Sequence, residues 1–285
     1  EILKAAESVK TTDDCLDINR RPYFIYDETA PRILSTAGHT AYVKIAEGCD
    51  RPCSFCIIPR LRGAFRSRPA NGIVTEIGQL LDSGVKEVNL IAQDLTSYGI
   101  DETNKIGQLP TLLNAIAEEH QDKDFWLRLL YAYPIGTNEE LISTISEYSF
   151  IAKYLDIPFQ HVAHPVLKSM RRPLGGKGTR KLVEFIRREA PDLALRTTFI
   201  VGFPGETQAD VDELTEFVAE GHFRHVGVFC YSQEKEALSY NYDNQIDAAE
   251  KELRRAQVME AQSFVVEKNL KSAIGSSAKV LVEGA

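Results

Sequence analysis

The feature that most restricts what this chain can fold into is an alternation. Six apolar runs of strand length recur along it: "AYVKIAE" (41–47), "KEVNLIAQ" (86–93), "FWLRLLY" (125–131), "KYLDIPF" (153–159), "LALRTTFIV" (193–201) and "RHVGVFCY" (224–231). Segments with helical periodicity lie between them. In "TQADVDELTEFVAEG", Val211, Leu214, Phe217 and Val218 recur at helical spacing, Thr207 and Asp210 offer a capping box, and Gly221 closes the segment. "NGIVTEIGQLLDSG" repeats the design, with Asn71 as the expected cap, Ile77, Leu80 and Leu81 as the stripe, and Gly84 as the stop. Such alternation argues for parallel strands joined by helical crossovers. Six units fall two short of a closed eightfold barrel, which leaves an open six-strand barrel or a doubly wound sheet.

Strand parity separates these two. Successive strand residues face opposite sides of a sheet. One parity reads Val43, Ile45; Val88, Leu90; Leu127, Leu129; Leu155, Ile157, Phe159; Leu195, Phe199, Val201; Val226, Val228, Cys230, and must lie under the helices. The other reads Lys44, Ala46; Asn89, Ile91, Gln93; Arg128; Asp156, Gln160; Arg196, Thr198; His225, Phe229, Tyr231. A closed barrel fills its interior with branched aliphatics. A polar interior is costly unless its groups are paired or meet water or a ligand. The expected fold is therefore α/β, an open partial (β/α)6 TIM-like barrel with its ligand site in the lumen. The competing account of these polar residues is internal ion pairing, as between Arg196 and Asp156.

The first strand runs into "EGCDRPCSFC", where Cys49, Cys53 and Cys56 gather three of the chain's five cysteines. Functional loops of parallel α/β folds sit at strand C-termini. A structural zinc would need a fourth ligand, from His39, His161 or His164, and the spacing lacks the paired halves of ribbon sites. A dithiol at Cys53 and Cys56 would leave Cys49 unexplained. An iron–sulfur cluster held by three thiolates, with one metal position open, is favoured by the spacing.

Composition narrows the partners. A net charge of −8 over 285 residues does not suit a generic nucleic-acid binder and better suits a basic partner. No apolar run approaches the roughly 20 residues of a membrane span. The first residues, "EILKAAESVK", lack the apolar core of a signal peptide. The expected location is cytoplasmic. "GGKGT" (175–179) fails the offsets of a phosphate loop, the His161/His164 pair has the spacing but not the usual setting of metal ligands, and Cys230 is expected to be a buried small hydrophobe.

With Phe55 just before its last cysteine, the CxxxCxxC loop resembles the signature of radical S-adenosylmethionine (SAM) enzymes. More of the chain, "AYVKIAEGCDRPCSFCIIPRLRGAFRSRP", "EVNLIAQDLTSYG", "LRLLYAYP", "YLDIPFQH", "SMRRP" and "LRTTFIVGFPGET", resembles the methylthiotransferases of that superfamily. Within them it is most similar to the branch that methylthiolates an aspartate of ribosomal protein uS12. The resemblance runs from about Ala41 to Tyr231 and more loosely beyond. A tRNA-adenosine branch shares the cluster loop and "IVGFPGET" and is the alternative within this chemistry. A zinc-stabilised binding module is the alternative outside it.

The resemblance implies that Cys49, Cys53 and Cys56 hold a 4Fe-4S cluster whose fourth iron takes the amino and carboxylate groups of SAM. It implies that Gln93 and Asp94 meet the SAM amino group, and that Arg196 pairs with its carboxylate. Thr198 and Gln160 would reach the ribose, while the "VGFPGE" turn, with Gly202 and Glu206, and the Phe55 backbone would approach the adenine. Asp94 as a helix cap and Glu206 as a first-turn charge are the plainer readings. Five arginines, Arg51, Arg60, Arg62, Arg66 and Arg68, surround the loop and are expected to offset an anionic cluster or lie on a solvated face. An external electron donor is implied, uS12 is the implied protein substrate, and nucleic acid is not required. The expected organisation is 1–38 as the tail of an upstream domain plus linker, 39–240 as the barrel, 241–272 as a helical segment, and 273–285 as the opening strand of a truncated TRAM-like β domain. A second, auxiliary cluster belongs to the family's upstream domain, which leaves Cys15 alone. "LGGKG" reads as an insertion.

Overall fold

In the computed structural model the described residues are 25–27, 29, 33–34, 37–103 and 107–282. The expected N-terminal segment up to residue 24, with Cys15, lies outside them. The chain lays down β1 (Thr40–Lys44), short strands β2 (Ala46–Glu47) and β3 (Arg66–Ser67), then β4 (Glu87–Ile91), β5 (Trp126–Leu129), β6 (Ile151–Asp156), β7 (Ala194–Val201) and β8 (His225–Cys230). Helices intervene: α1 (Ile58–Arg62), α2 (Ala70–Asp82), α3 (Ile100–Thr103), α4 (Leu109–His120), α5 (Glu139–Glu147), α6 (His164–Ser169), α7 (Gly175–Glu189), α8 (Gln208–Ala219) and α9 (Ala248–Ala273). Six strands form one sheet in the order β1-β4-β5-β6-β7-β8, every pairing parallel. Strand order follows chain order with no reversal. The doubly wound alternative is thereby set aside, and β1 and β8 are left as the two edges of an open barrel.

Each of the six runs supplies one of these strands. Val43, Val88, Leu90, Leu127, Leu155, Leu195, Phe199 and Val201 are 0% exposed and join one core with Ile73 and Ile77 of α2, Leu113 of α4 and Ile145 of α5. Burial of this row at about 25 cal/mol per Å2 is the main force holding sheet to helices. Along β7, buried and half-buried residues alternate over all eight positions, so Arg196, Thr198 and Ile200 face the lumen. Cys230 departs from expectation. It is half-exposed rather than buried, and its thiol donates to Glu252 Oε1 of α9 at 3.4 Å, because the edge strand's last residue lies under a polar stretch of that helix.

Of the helix N-caps expected from the sequence, one forms and one does not. Thr207 and Asp210 form the full capping box of α8, and Asp247 caps α9 by accepting from Glu250 N–H. Asn71 is not a cap: α2 starts at Ala70 behind Pro69, and the Asn71 side chain accepts from Gly72 N–H inside the first turn. Pro69 presets the helical entry, so no polar side chain is needed there. "GGKG" forms the first turn of α7. A Cβ on Gly176 would lie 2.3 Å from Val162 O, so α7 can start against the β6–α6 connection only with glycine there. Gly176→Ala is expected to lower unfolding free energy by about 1–3 kcal/mol, as for other overpacked sites, measured by urea denaturation.

The strand expected over "SAKVLVEG" is not formed among the described residues, which have no ladder partner from 276 to 282. An isolated strand has nothing to satisfy its backbone groups. Instead Lys279 pairs with Asp124 at 2.6 Å and lies over the Trp126 ring. Among the described residues no helix is long and apolar enough to cross a membrane.

Candidate functional site

The cysteine loop leaves the sheet at β2 and returns at β3. The antiparallel pairs Ala46↔Ser67 and Glu47↔Arg66 bring its ends together. Gly48 opens it at φ +84°, and a Cβ there would lie 2.2 Å from Ala64 O. Cys49 N–H donates to Gly63 O at 3.2 Å. The deepest fastening is Ser54, fully buried. Its N–H donates to Met170 O at 3.1 Å, its hydroxyl donates to Ser169 O at 2.8 Å, and its carbonyl accepts from Ser239 N–H at 2.9 Å. Phe55 packs beside it on a small apolar cluster of Ala163, Val166, Met170, Phe203 and Tyr231. The loop is thus placed by β1, by the end of α6 and by the segment after β8 together.

The loop holds its thiols in an environment hostile to uncompensated charge. Burial pushes the Cys49 thiol up to about 11, with the charges of Asp94, Cys53 and Cys56 adding to the rise and a backbone hydrogen bond opposing it. Burial raises Cys56 as well, with Cys53 adding and Arg172 opposing. Cys49 and Cys56, which resist ionisation alone, become thiolates when a cation binds, because coordination deprotonates a thiol outright. This donor set fits an iron–sulfur cluster, whose usual ligands are thiolates. A closed zinc site fits less well. Among the described residues no three His, Cys, Asp or Glu side chains gather around one metal position. His39 precedes β1, at the opposite end of the barrel from the loop. His161 is fully buried, with Nδ1 accepting from Ala163 N–H and Nε2 3.5 Å from Glu206. A cluster binds each thiolate at a separate iron and needs no such convergence.

Of the five arginines near the loop in sequence, one extends its guanidinium to the segments that follow β4 and β5. Arg51 donates to Asp94 Oδ2 at 2.8 Å and to Ser97 Oγ at 3.0 Å, and its guanidinium lies 4.1 Å over the Tyr133 ring. Arg68 is buried against Glu76 at 2.6 Å. Arg60 and Arg62 are exposed, with Glu236 and Glu47 as partners, and Arg66 donates to Ala64 O. Sequence reasoning missed the second cation at the loop. Arg172, nearly buried, donates to Cys53 Sγ at 3.6 Å and to Pro158 O at 2.6 Å, and also lies over Tyr133, at 4.2 Å. The signal was the "SMRRP" stretch, read only as a family likeness.

The lumen residues divide into paired and unpaired groups. Lower down, Arg128 donates to Glu87 Oε1 at 2.7 and 2.9 Å, and Asn89 Nδ2 donates to Thr40 Oγ1 at 3.2 Å. Arg196 donates to Asp156 Oδ2 at 2.7 Å, so the ion-pair account of these two is correct. Burial raises the Asp156 carboxyl above the usual range although Arg196 opposes this. Nearer the loop, Gln93 Oε1, Gln160 Oε1 and Asp156 Oδ1 are buried without a protein partner. Gln160 also holds a left-handed φ of +73°, fixed by Gln160 N–H to Thr198 O and Ile200 N–H to Gln160 O.

Asp94 and Glu206 are placed as braces. The Asp94 carboxylate, 1% exposed, caps the turn Leu95–Ser97 through Thr96 N–H and also takes the Thr96 and Ser97 hydroxyls and Arg51. The Glu206 carboxylate, fully buried, accepts from Gly202 N–H at 2.9 and 3.0 Å and from Arg254 of α9 at 3.0 Å. Gly202, at φ +71°, turns the chain so that Phe203 stacks edge-on with Tyr231. Thr198 lies beside Gly227, as does Arg196 Nη2.

A family model described as "Radical SAM superfamily" matches residues 43–218. The chain is 44% identical over 261 residues to the ribosomal protein uS12 methylthiotransferase RimO of Solibacter usitatus, covering 92% of this chain and 56% of that protein. It is 45% identical over 273 residues to the protein of the same name in Pelobacter propionicus, covering 96% and 60%. The chain thus spans somewhat more than half the length of these relatives. Among solved structures it resembles the radical SAM methyltransferase TsrM of Kitasatospora setae with tryptophan and a SAM analog, at TM-score 0.57 and 16% identity over 74% of this chain and 40% of that one. It also resembles coproporphyrinogen III oxidase HemN of Escherichia coli, a radical SAM enzyme, at TM-score 0.55 and 14% identity over 79% and 52%. These two likenesses concern the fold alone. The family match extends from β1 through most of α8 and takes in the cysteine loop, the lumen strands and the Gly202 turn: the chain belongs to the radical SAM superfamily.

Proposed function

We propose that this chain is the core of a methylthiotransferase that cleaves SAM and directs the resulting radical to an aspartate side chain of ribosomal protein uS12. The observation that carries the reading is the meeting of two features. Three thiols stand at one end of an open barrel, and the lumen strands present buried, unpartnered acceptors at that end on Gln93, Gln160 and Asp156. Unsatisfied acceptors and a strained backbone persist where a ligand completes them. The substrate assignment comes from the names of the relatives.

Cys49, Cys53 and Cys56 are the proposed cluster ligands. A 4Fe-4S cluster held by these thiolates would supply the electron for reductive cleavage of SAM to methionine and a 5′-deoxyadenosyl radical. The protein's part is placement. Gln93 and Gln160 offer acceptors to the amino and hydroxyl donors of SAM, Thr198 offers its hydroxyl, and Arg196 keeps Nη2 for an oxyanion while Nη1 remains on Asp156. Asp94 acts on the cofactor at one remove, by holding Arg51 under the loop. Glu206 likewise fixes the Gly202 turn, so that backbone approaches a flat ring. The apolar wall of Phe55, Phe203 and Tyr231 excludes water from that side. An external donor provides the electron, and the net charge of −8 favours a basic protein substrate.

The test is anaerobic reconstitution of the full chain, followed by metal analysis and a deoxyadenosine assay with SAM and dithionite. About four irons and four sulfides per chain are expected, with deoxyadenosine formed. One zinc per chain and no deoxyadenosine would overturn the reading. Adding uS12 is expected to raise deoxyadenosine formation; an identical response to a tRNA substrate and none to uS12 would move the substrate to the tRNA branch.

A further inference from the structure

Arg172 holds a position that the proposed chemistry above leaves unused. The turn that follows α6 sets it: Arg171 adopts a left-handed φ of +56°, and Arg172 N–H returns to Leu167 O at 2.8 Å. The guanidinium is then fixed by groups from separate elements. Nη2 donates to Pro158 O at 2.6 Å, beyond the end of β6, and the cationic plane lies 4.2 Å over the ring of Tyr133, beyond the end of β5. Nη1 donates to Cys53 Sγ at 3.6 Å. The residue is 7% exposed, and Tyr133 is 6% exposed. No carboxylate pairs with Arg172 among the described ion pairs, in contrast to Arg51, which is neutralised by Asp94 at 2.8 Å. Nearly buried charge is costly unless something opposite in sign meets it. Among the described residues its other partners are a neutral carbonyl and the Tyr133 ring face, so the sulfur of Cys53 is the partner able to carry a full compensating charge.

We propose that Arg172 is a positioning and charge-setting residue for the cluster, holding the Cys53 sulfur by a hydrogen bond and favouring the state that carries one more electron. The proposal rests on the cluster reading for Cys49, Cys53 and Cys56. Hydrogen bonds to ligating sulfurs and nearby fixed charge set the reduction potential of an iron–sulfur centre, and a buried cation is screened little by solvent. Tyr133 contributes by keeping the guanidinium flat against its ring, which fixes the direction of Nη1. Arginine suits this duty because a planar fork can bond Pro158 O and a sulfur at once while stacking, which an ammonium cannot do.

The experiment is a redox titration of the reconstituted full chain, followed by electron paramagnetic resonance without SAM, for the parent, Arg172→Lys, Arg172→Gln and Arg172→Met. Iron and sulfide per chain are measured on the same samples. Expected is a parent-like iron content in Arg172→Lys with a potential shifted negative. Arg172→Gln and Arg172→Met should shift further, to at least a tenfold loss in the equilibrium constant for reduction, which is about 59 mV for one electron. A potential within error of the parent in Arg172→Gln or Arg172→Met at full iron content overturns the proposal. If Arg172→Met does not fold, Arg172→Lys and Arg172→Gln decide it by the same criterion. A parent protein that binds no cluster overturns the cluster reading itself, and the metal analysis of the parent shows that separately from any variant. Loss of iron without a shift in the remaining clusters would mean a purely structural role and also refutes the charge-setting one.

Discussion

Replacing any one of Cys49, Cys53 or Cys56 by alanine is expected to bring deoxyadenosine formation below about one hundredth of the parent rate. Disturbing a group that merely supports a metal ligand already costs 10–100-fold, and removing a ligand costs more. The three residues occupy a loop that is pinned elsewhere, by Gly48, Ser54 and the β2–β3 pair, so the fold should survive each change. Their side chains are half-exposed and belong to neither apolar cluster, so little packing is lost. The measurement is a deoxyadenosine assay beside circular dichroism of each variant, with Cys230→Ala as the control. Cys230, at the far side of β8 beside Glu252, should leave the rate unchanged. Parent-like cleavage by any one of the three loop variants would remove that cysteine from the ligand set.

Glu206→Ala should be the most destabilising of the substitutions considered, by about 3 kcal/mol or more, the cost of stranding a buried N–H and taking one of two carboxylates from a nearly buried cation. Glu206 is fully buried and serves three groups: Gly202 N–H, the Arg254 guanidinium and, at 3.5 Å, His161. Removal leaves the Arg254 charge, 9% exposed, with Glu250 at 2.8 Å as its remaining carboxylate, strands the Gly202 N–H and frees a turn that needs φ +71° at Gly202. By contrast, Glu267→Ala breaks an exposed pair with Lys271 and should cost no more than about 0.5 kcal/mol. Urea midpoints for the two variants measure the difference. A loss of under about 1 kcal/mol for Glu206→Ala would show that water or another group replaces the carboxylate. It would also end the description of Glu206 as the brace of the Gly202 turn.

The barrel was readable because its determinants are local. Strand parity depends on neighbours two residues apart, and the Thr207–Asp210 box on neighbours three apart. The place of the cysteine loop follows from its position after the first strand. What could not be read is what depends on distant partners. Ser54 and Cys53 look alike in importance beside Arg51 until Ser169, Met170, Ser239 and Arg172 are brought in from over a hundred residues away. The same holds for Arg254, which reaches Glu206 across 48 residues. The role of "GGKG" was hidden for the same reason: a lack of side chain at Gly176 admits a helix close to the Val162 carbonyl. Asn71 misled because Pro69 already sets the start of α2.

The triple fastening of Ser54 bears on the order in which the molecule takes shape. Its partners lie 115 residues away at Ser169 and farther still at Ser239. Contacts across such separations must overcome loop-closure entropy before they repay it, whereas each crossover of strand and helix closes over a shorter span. The thiol loop therefore has little reason to be ordered on a nascent chain whose later strands are missing. Its geometry is borrowed from the finished barrel, and a metal centre assembled on it belongs to maturation rather than to folding.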